Sequence, residues 1–259
     1  MDSNSQGLAG RHALVTGGGR GIGAAIAASL AGAGARVTLL GRTTAEIERT
    51  AAALPGGAKA VTADVTDPAS VERAFAEARA AAGEVSILVN NAGLAKSLPL
   101  MKSDAEFWRR LLSVNLDGAF HCTRAALPAM LAANHGRIVN ISSTAGLRGY
   151  AYCTAYCAAK HGLVGFTRAL ALEVAKTGIT VNAVCPGYTD TGIVRDAVRR
   201  ISEKTARSEA EARETLVSFN PQQRLVRPEE VANAVLWLCL PGSESMNGQS
   251  LALAGGEVM

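Results

Sequence analysis

Three observations predict an α/β fold built on a parallel sheet. Short apolar runs alternate with longer stretches of helical periodicity along almost the whole chain, as strand–helix–strand crossovers require. The first run, Ala13-Leu14-Val15, leads through a glycine-rich turn into an alanine-rich helix. The 259 residues are 48% hydrophobic and 19% charged, which suits one domain with a large core rather than two.

Taken in order, strands are expected at 13–16, 37–40, 58–63, 87–90, 136–141, 180–184 and 250–253. Helices are expected between them at 21–33, 43–54, 68–82, 104–133, 151–176 and 228–239. Pro228 followed by Glu229 and Glu230 is a good helix start, because proline needs no hydrogen-bonded N–H there and acids favour the first turn. Residues 187–225 break the alternation with Arg195, Arg199, Arg200, Lys204, Arg207 and Arg213 among acids that include Asp196, Glu203, Glu209, Glu211 and Glu214. Two short helices with solvated, mixed-charge faces fit that stretch. Residues 1–9 read as a mobile polar tail and 10–259 as one domain.

Several function classes find no support. A net charge of +4 is too weak and too scattered for a nucleic-acid footprint. No stretch approaches the roughly 20 apolar residues of a membrane span, and the polar N-terminus carries no signal-peptide pattern. Five cysteines without a C-x-x-C pair, and four dispersed histidines, offer no metal site. Reduced thiols in the cytoplasm are the expectation.

The chemistry is signalled by Tyr156 and Lys160, four residues apart, with Ser143 thirteen residues before the tyrosine. Residues at i and i+4 share a helix face, so the ammonium can stand beside the phenol. A free tyrosine titrates near 10, and a neighbouring cation lowers that value. The expected product is a general acid/base for a carbonyl oxygen, with the Ser143 hydroxyl bonded to the same oxygen. Tyr and Lys at this spacing are common on ordinary helices, so the pair carries weight only with the rest of the chain. Tyr152 and Ser142 are the rivals. Neither keeps the thirteen-residue spacing, and Tyr152 has no lysine four residues on.

Thr16-Gly-Gly-Gly-Arg-Gly-Ile-Gly23 lies between the first strand and first helix, where a dinucleotide fingerprint must lie. Gly17 permits the tight turn, Gly21 the approach of a pyrophosphate, and Gly23 close helix–strand packing. The helix N-terminus adds free amides for phosphate. An NAD-selective site places an acid at the end of the second strand; here Gly41 stands there, followed by Arg42. Arg20 and Arg42 can clamp a 2′-phosphate, with no acid at that strand end to repel it. NADP(H) is favoured and NAD(H) stays open.

Together, the glycine turn, Asn90-Asn91-Ala92-Gly93, Asn115, Ser143, Tyr156/Lys160 and Pro186-Gly187 resemble the short-chain dehydrogenase/reductase family over residues 10–256. The resemblance implies a doubly wound, seven-stranded Rossmann-type sheet and hydride transfer between a nicotinamide and a carbonyl carbon. It implies that Asn115, Ser143, Tyr156 and Lys160 are catalytic, Asn115 through a helix kink and a water relay, and that Lys160 also bonds the nicotinamide ribose. It implies cofactor contacts by Gly17, Gly19, Arg20, Gly21, Ile22, Gly23, Asp64, Val65, Asn91, Ala92 and Gly93. Pro186, Gly187, Thr189 and Thr191 would lie by the carboxamide. Asp64 has a plainer alternative as a helix cap, which Asp67 fits better. Tyr152 and Tyr188 are expected at the substrate pocket beside Ser143, and a substrate lid at about 188–225.

The stretch 156–187 is most similar to ketoreductases of acyl thioesters, so a 3-oxoacyl group on CoA or a carrier protein is the leading substrate. Arg195, Arg199 and Arg200 could meet its phosphates. The alternatives are a free cyclic, aromatic or steroid-like alcohol, and a redox-silent dinucleotide sensor. A homotetramer is the family expectation, although Ala254 replaces the acid that commonly precedes the final Gly-Gly.

Overall fold

The computed structural model describes residues 7–205 and 207–259. Its seven strands are β1 (His12–Thr16), β2 (Arg36–Gly41), β3 (Lys59–Thr62), β4 (Ile87–Asn90), β5 (Gly136–Ile141), β6 (Ile179–Pro186) and β7 (Ser250–Leu253). All pair in parallel, in the order β3-β2-β1-β4-β5-β6-β7. β1, β4, β5 and β6 are buried along their whole length. Covered on both faces, they are mostly apolar, which is why they read as runs, and their polar members, such as Asn90 and Asn140, are buried and bonded to one another.

Helices cover both faces. Ala13 and Val15 point to one side, against α1 (Gly21–Gly32), α2 (Thr44–Ala53) and α9 (Pro228–Cys239), packing with Ile26, Leu30, Val235 and Leu238. Leu14 points to the other, against α3 (Pro68–Ala82), α5 (Gly118–Ala132) and α6 (Thr154–Glu173), packing with Phe75, Met130 and Leu170. This two-residue alternation loads both faces from one strand. Each fully buried aliphatic side chain contributes about 1.5–3 kcal/mol. The order reverses between β1 and β4, and the crevice at their carboxyl ends is where such sheets bind ligands.

Two expected helices differ in ways that matter for the site. The stretch expected as one helix over 104–133 is α4 (Ala105–Leu112), a π-helical turn at Ser113–Asp117, and α5. The cause is Asn115, whose Nδ2 donates to the Leu111 carbonyl at 2.8 Å while its amide also engages Leu94. A side chain that bonds into the ladder opens the helix locally. The helix expected from 151 begins instead at Thr154, because Tyr152 is left-handed (φ 65) and its carbonyl accepts from Leu98 N at 2.8 Å.

The irregular stretch holds α7 (Gly192–Lys204) and α8 (Glu209–Val217). They share a small core of Val194, Val198, Ala212, Leu216, Val217 and Leu225, separate from the two beside the sheet. α8 starts at a capping box between Ser208 and Glu211, which satisfies two free backbone amides.

The tail expected over 1–9 does not hold at its C-terminal end. Residues 1–6 lie outside the described residues, but Leu8 is 2% exposed, belongs to the core, and donates its N–H to Ala33 at 2.9 Å. A single apolar residue in a polar stretch gave little sequence signal. Among the described residues, no helix is long and apolar enough to cross a membrane. None of their His, Cys, Asp and Glu side chains gather in a metal-holding group.

Candidate active site

A cleft of about 1130 Å³ opens at the carboxyl edge of the sheet, lined by every catalytic, cofactor and pocket residue singled out from the sequence, but not by Arg195 or Arg199. One end is the glycine turn. Gly17 adopts φ 63, and a Cβ there would come within 3.0 Å of the Ala92 backbone. A Cβ at Gly23 would stand 2.3 Å from the Gly17 carbonyl oxygen, so only glycine lets α1 start this close to β1. Thr16 Oγ1 accepts from the Asn91 and Ala92 amides at 3.0 and 2.9 Å, and Asn91 Nδ2 donates to Thr16 and Gly17 carbonyls. These bonds fix the 90–93 segment against the turn. The first turn of α1 holds no acid, and its N-cap, Arg20, makes no side-chain capping bond. Its amides are therefore left for a ligand, and the cradle fits a dinucleotide pyrophosphate.

The floor of the cleft carries Asn115, Ser143, Tyr156 and Lys160. Ser143, two residues beyond β5, is extended (φ −172) and caps a short 3-10 turn, accepting from Ala145 N at 3.1 Å. Lys160 is 4% exposed, and its Nζ donates to the Ile141 carbonyl at 2.8 Å. It lies 5.8 Å from the centroid of the Tyr156 ring. Asn115, 1% exposed, accepts from Leu94 N at 3.1 Å and donates to Leu94 O at 2.9 Å. A Cβ at Gly93 would come within 3.1 Å of Asn115 Oδ1 and 3.8 Å of Lys160 Nζ. Asn115, Gly93 and Lys160 are thus packed as one unit.

The electrostatics correct one expectation. Tyr156 was expected to be acidified by Lys160, but burial pushes its hydroxyl up to about 12, with the Ser143 hydroxyl opposing the shift. Burial also pushes the Lys160 ammonium down to about 8. Desolvation acts against both charged forms at once. At neutral pH the phenol therefore keeps its proton and the lysine its charge.

The rim of the cleft adds to another. No acid stands at the end of β2, but folding brings two alongside the expected clamp. Arg20 Nη1 lies 3.7 Å from Glu46 and Arg42 Nη1 3.9 Å from Asp64. Asp64 also accepts from Thr66 N and Oγ1 at 2.9 and 2.8 Å, and Asp67, not Asp64, caps α3. Thr191 folds over the glycine turn, its Cγ2 within 3.2 Å of where a Gly21 Cβ would stand. Thr189 Oγ1 is turned back onto the Gly187 carbonyl at 3.0 Å.

Sequence reasoning missed several cleft residues. Glu46 and Tyr150 line the cleft, as do Leu94 to Leu98, Val194 and Leu216. The Tyr150 hydroxyl sits between Thr144 Oγ1 and the Glu257 carboxylate, and burial first, then that carboxylate, raises its titration. Its ring joins Phe219 and Tyr188 in a tilted stack. Only the position of Glu46 in the first turn after β2 offered a signal; Glu257, 107 residues from Tyr150, offered none.

A parallel sheet with a glycine turn and a Ser–Tyr–Lys floor at its switch point defines a dinucleotide-dependent oxidoreductase fold. The family model for short chain dehydrogenases matches residues 11–202, and the chain belongs to the short-chain dehydrogenase/reductase family. It is 40% identical over 252 residues to the 3-oxoacyl-[acyl-carrier-protein] reductase FabG of Escherichia coli, covering 96% of this chain and 98% of that protein. It is 37% identical over 255 residues to the D-beta-hydroxybutyrate dehydrogenase of Cupriavidus necator, covering 97% and 99%. A crystal structure of a variant actinorhodin polyketide ketoreductase with NADPH superposes with a TM-score of 0.92 at 38% identity, covering 99% of each chain.

Proposed function

We propose that this protein is an NADP(H)-dependent ketoreductase of 3-oxoacyl thioesters. The observation that carries the reading is the meeting of Asn115, Ser143, Tyr156 and Lys160 on the floor of the same cleft that holds the glycine turn. Relatives named as 3-oxoacyl and polyketide reductases, at 37–40% identity, support the substrate class, and the similar ketoreductase structure with NADPH supports the cofactor. The dinucleotide would be held by the turn 17–23 at its pyrophosphate, by Asp64, Val65 and 91–93 on the adenosine side, and by Pro186, Gly187, Thr189 and Thr191 near the carboxamide. When bound it supplies the hydride that reduces the carbonyl carbon.

The chain's own residues handle the oxygen. Tyr156, protonated well above neutral pH, donates its proton to the carbonyl oxygen as the C=O becomes CH–OH. Ser143 donates a hydrogen bond to that oxygen as charge develops. Lys160, still cationic at neutral pH, stabilises the phenolate left on Tyr156. Asn115 holds the Leu94 backbone, and with it the loop facing Tyr156, in register. The reverse reaction follows the same atoms backward.

Residues 188–225 serve as the substrate lid, a reading supported by Val194, Ala197, Arg200, Ile201 and Leu216 of α7 and α8 on the cleft wall. Ser143, Tyr152 and Tyr188 face the substrate. Arg195 and Arg199 are bound to Asp190 and Asp196 at 3.3 and 2.7 Å, so of the three arginines Arg200, on the cleft wall and without a carboxylate partner among the described residues, is left for a thioester phosphate. Five unpaired cysteines fit the cytoplasm. A homotetramer is the assembly expected of the family.

Steady-state NADPH oxidation with a 3-oxoacyl-CoA and the matching free 3-oxo ester tests the reading. A higher kcat/KM for the thioester is expected; equal or faster turnover of the free ketone moves the assignment to a small-molecule alcohol dehydrogenase.

A further inference from the structure

The arginines expected to clamp a 2′-phosphate are not equally available, and the difference lies in their acids. Asp64 is committed: Thr66 N and Oγ1 both donate to its Oδ1, and Arg42 stands 3.9 Å from Oδ2. Among the described residues no donor bonds the Glu46 carboxylate, and Arg20 approaches it only to 3.7 Å. Glu46 is nonetheless held in place. A Cβ at Gly19 would lie 3.1 Å from Glu46 Cβ and 3.2 Å from Ile47, and a Cβ at Gly41 would lie 2.8 Å from Ile47 Cγ2. Thr50 Oγ1 donates to the Gly19 carbonyl at 2.8 Å. The first turn of α2 is wedged between the glycine turn and the end of β2. A carboxylate with open acceptor sites is thereby fixed on the rim where the ribose end of a dinucleotide must pass.

We propose that Glu46 sets the cofactor selectivity of this site, accepting a hydrogen bond from a free ribose 2′-hydroxyl and competing with a 2′-phosphate for Arg20. This rests on the cofactor reading above. The rim then accepts both dinucleotides: the arginines favour the phosphate, and Glu46 keeps that preference modest. A carboxylate makes a strong, charge-assisted acceptor, while a dianionic phosphate beside it meets like-charge repulsion.

Calorimetric titration of adenosine 2′,5′-bisphosphate and adenosine 5′-monophosphate into wild type and Glu46→Gln tests the assignment without turnover. The substitution is isosteric and on the surface, so the fold is kept. Opposite shifts are expected: the bisphosphate binds roughly three- to tenfold tighter and the monophosphate about threefold weaker, because the amide lacks the charge. A purely structural role would move both ligands in the same direction, and parallel shifts or an unchanged ratio would overturn the assignment of Glu46 while leaving the cofactor reading intact. Binding of neither fragment to wild type would overturn the cofactor reading and the role of Glu46 with it.

Discussion

On the floor of the cleft Lys160 is 4% exposed and its ammonium is tied to a backbone carbonyl. On the rim the side chains of Arg20 and Arg42 are 72% and 64% exposed, and each lies almost 4 Å from its carboxylate. The floor groups are governed by burial, which moves Tyr156 up and Lys160 down together. The rim charges are governed by exchangeable, solvent-screened partners, worth at most about 1 kcal/mol per pair. Chemistry is thus built on a half-buried Tyr156 and Ser143 backed by a Lys160 and an Asn115 that are buried and tied to the backbone. Selectivity is built where a ligand can replace one weak partner by another.

Substitutions on the two sides should differ in size accordingly. Gly23→Val should have the largest effect: its side chain would collide with the Gly17 carbonyl, 2.3 Å from a Cβ, and nucleotide binding measured by calorimetry should disappear. Asn115→Leu strands the Leu94 N–H and C=O, now both bonded to the amide. Leu94 is half-buried, so water meets part of the loss; a moderately lowered denaturant midpoint is expected, with reduced turnover in the fraction that stays folded.

The pH dependence reads the floor directly. Below about 8 Lys160 is charged, and above it the cation beside Tyr156 is lost, so kcat/KM for reduction should be level from pH 6 to about 8 and fall beyond. Lys160→Met should be slow and lack that break. Stability carries the opposite sign. Lys160 titrates near 8 when folded against 10.5 as a free side chain, so between those values the unfolded chain binds more protons and this lysine's penalty fades as pH rises. The gap in melting temperature between wild type and Lys160→Met should change across pH 8 to 10.5 and be constant below it. The smallest effect belongs to the rim of the lid: Arg200→Glu should raise KM for a CoA thioester several-fold and leave KM for a free ester unchanged.

What could be read in the sequence divides along the same line. The glycine turn, Ser143, Tyr156 and Lys160 are separated by fixed spacings along single elements, so local rules place them, and β4, β5, β7, α3 and α9 have the boundaries their periodicity suggests. The break at Ser113–Asp117 was signalled by the family resemblance at Asn115 and not by periodicity, because it depends on an asparagine bonding a loop 21 residues away. The sign of the Tyr156 shift was misjudged for a related reason: the i,i+4 rule brings the cation near but says nothing of how dry the site is. Glu257 beside Tyr150 is a product of tertiary packing alone, and Glu46 beside Arg20 was marked only by its place in the first turn after β2.

The most direct measurement compares reduction with nucleotide binding in Tyr156→Phe. The phenylalanine removes the proton donor and keeps the ring, so reduction of a 3-oxoacyl-CoA should fall by roughly 10²–10⁴-fold, while NADPH, followed by its fluorescence, should bind within a few-fold of wild type. Reduction retained at more than a tenth of the wild-type rate would show that another group delivers the proton, and the floor of the cleft would need a different assignment.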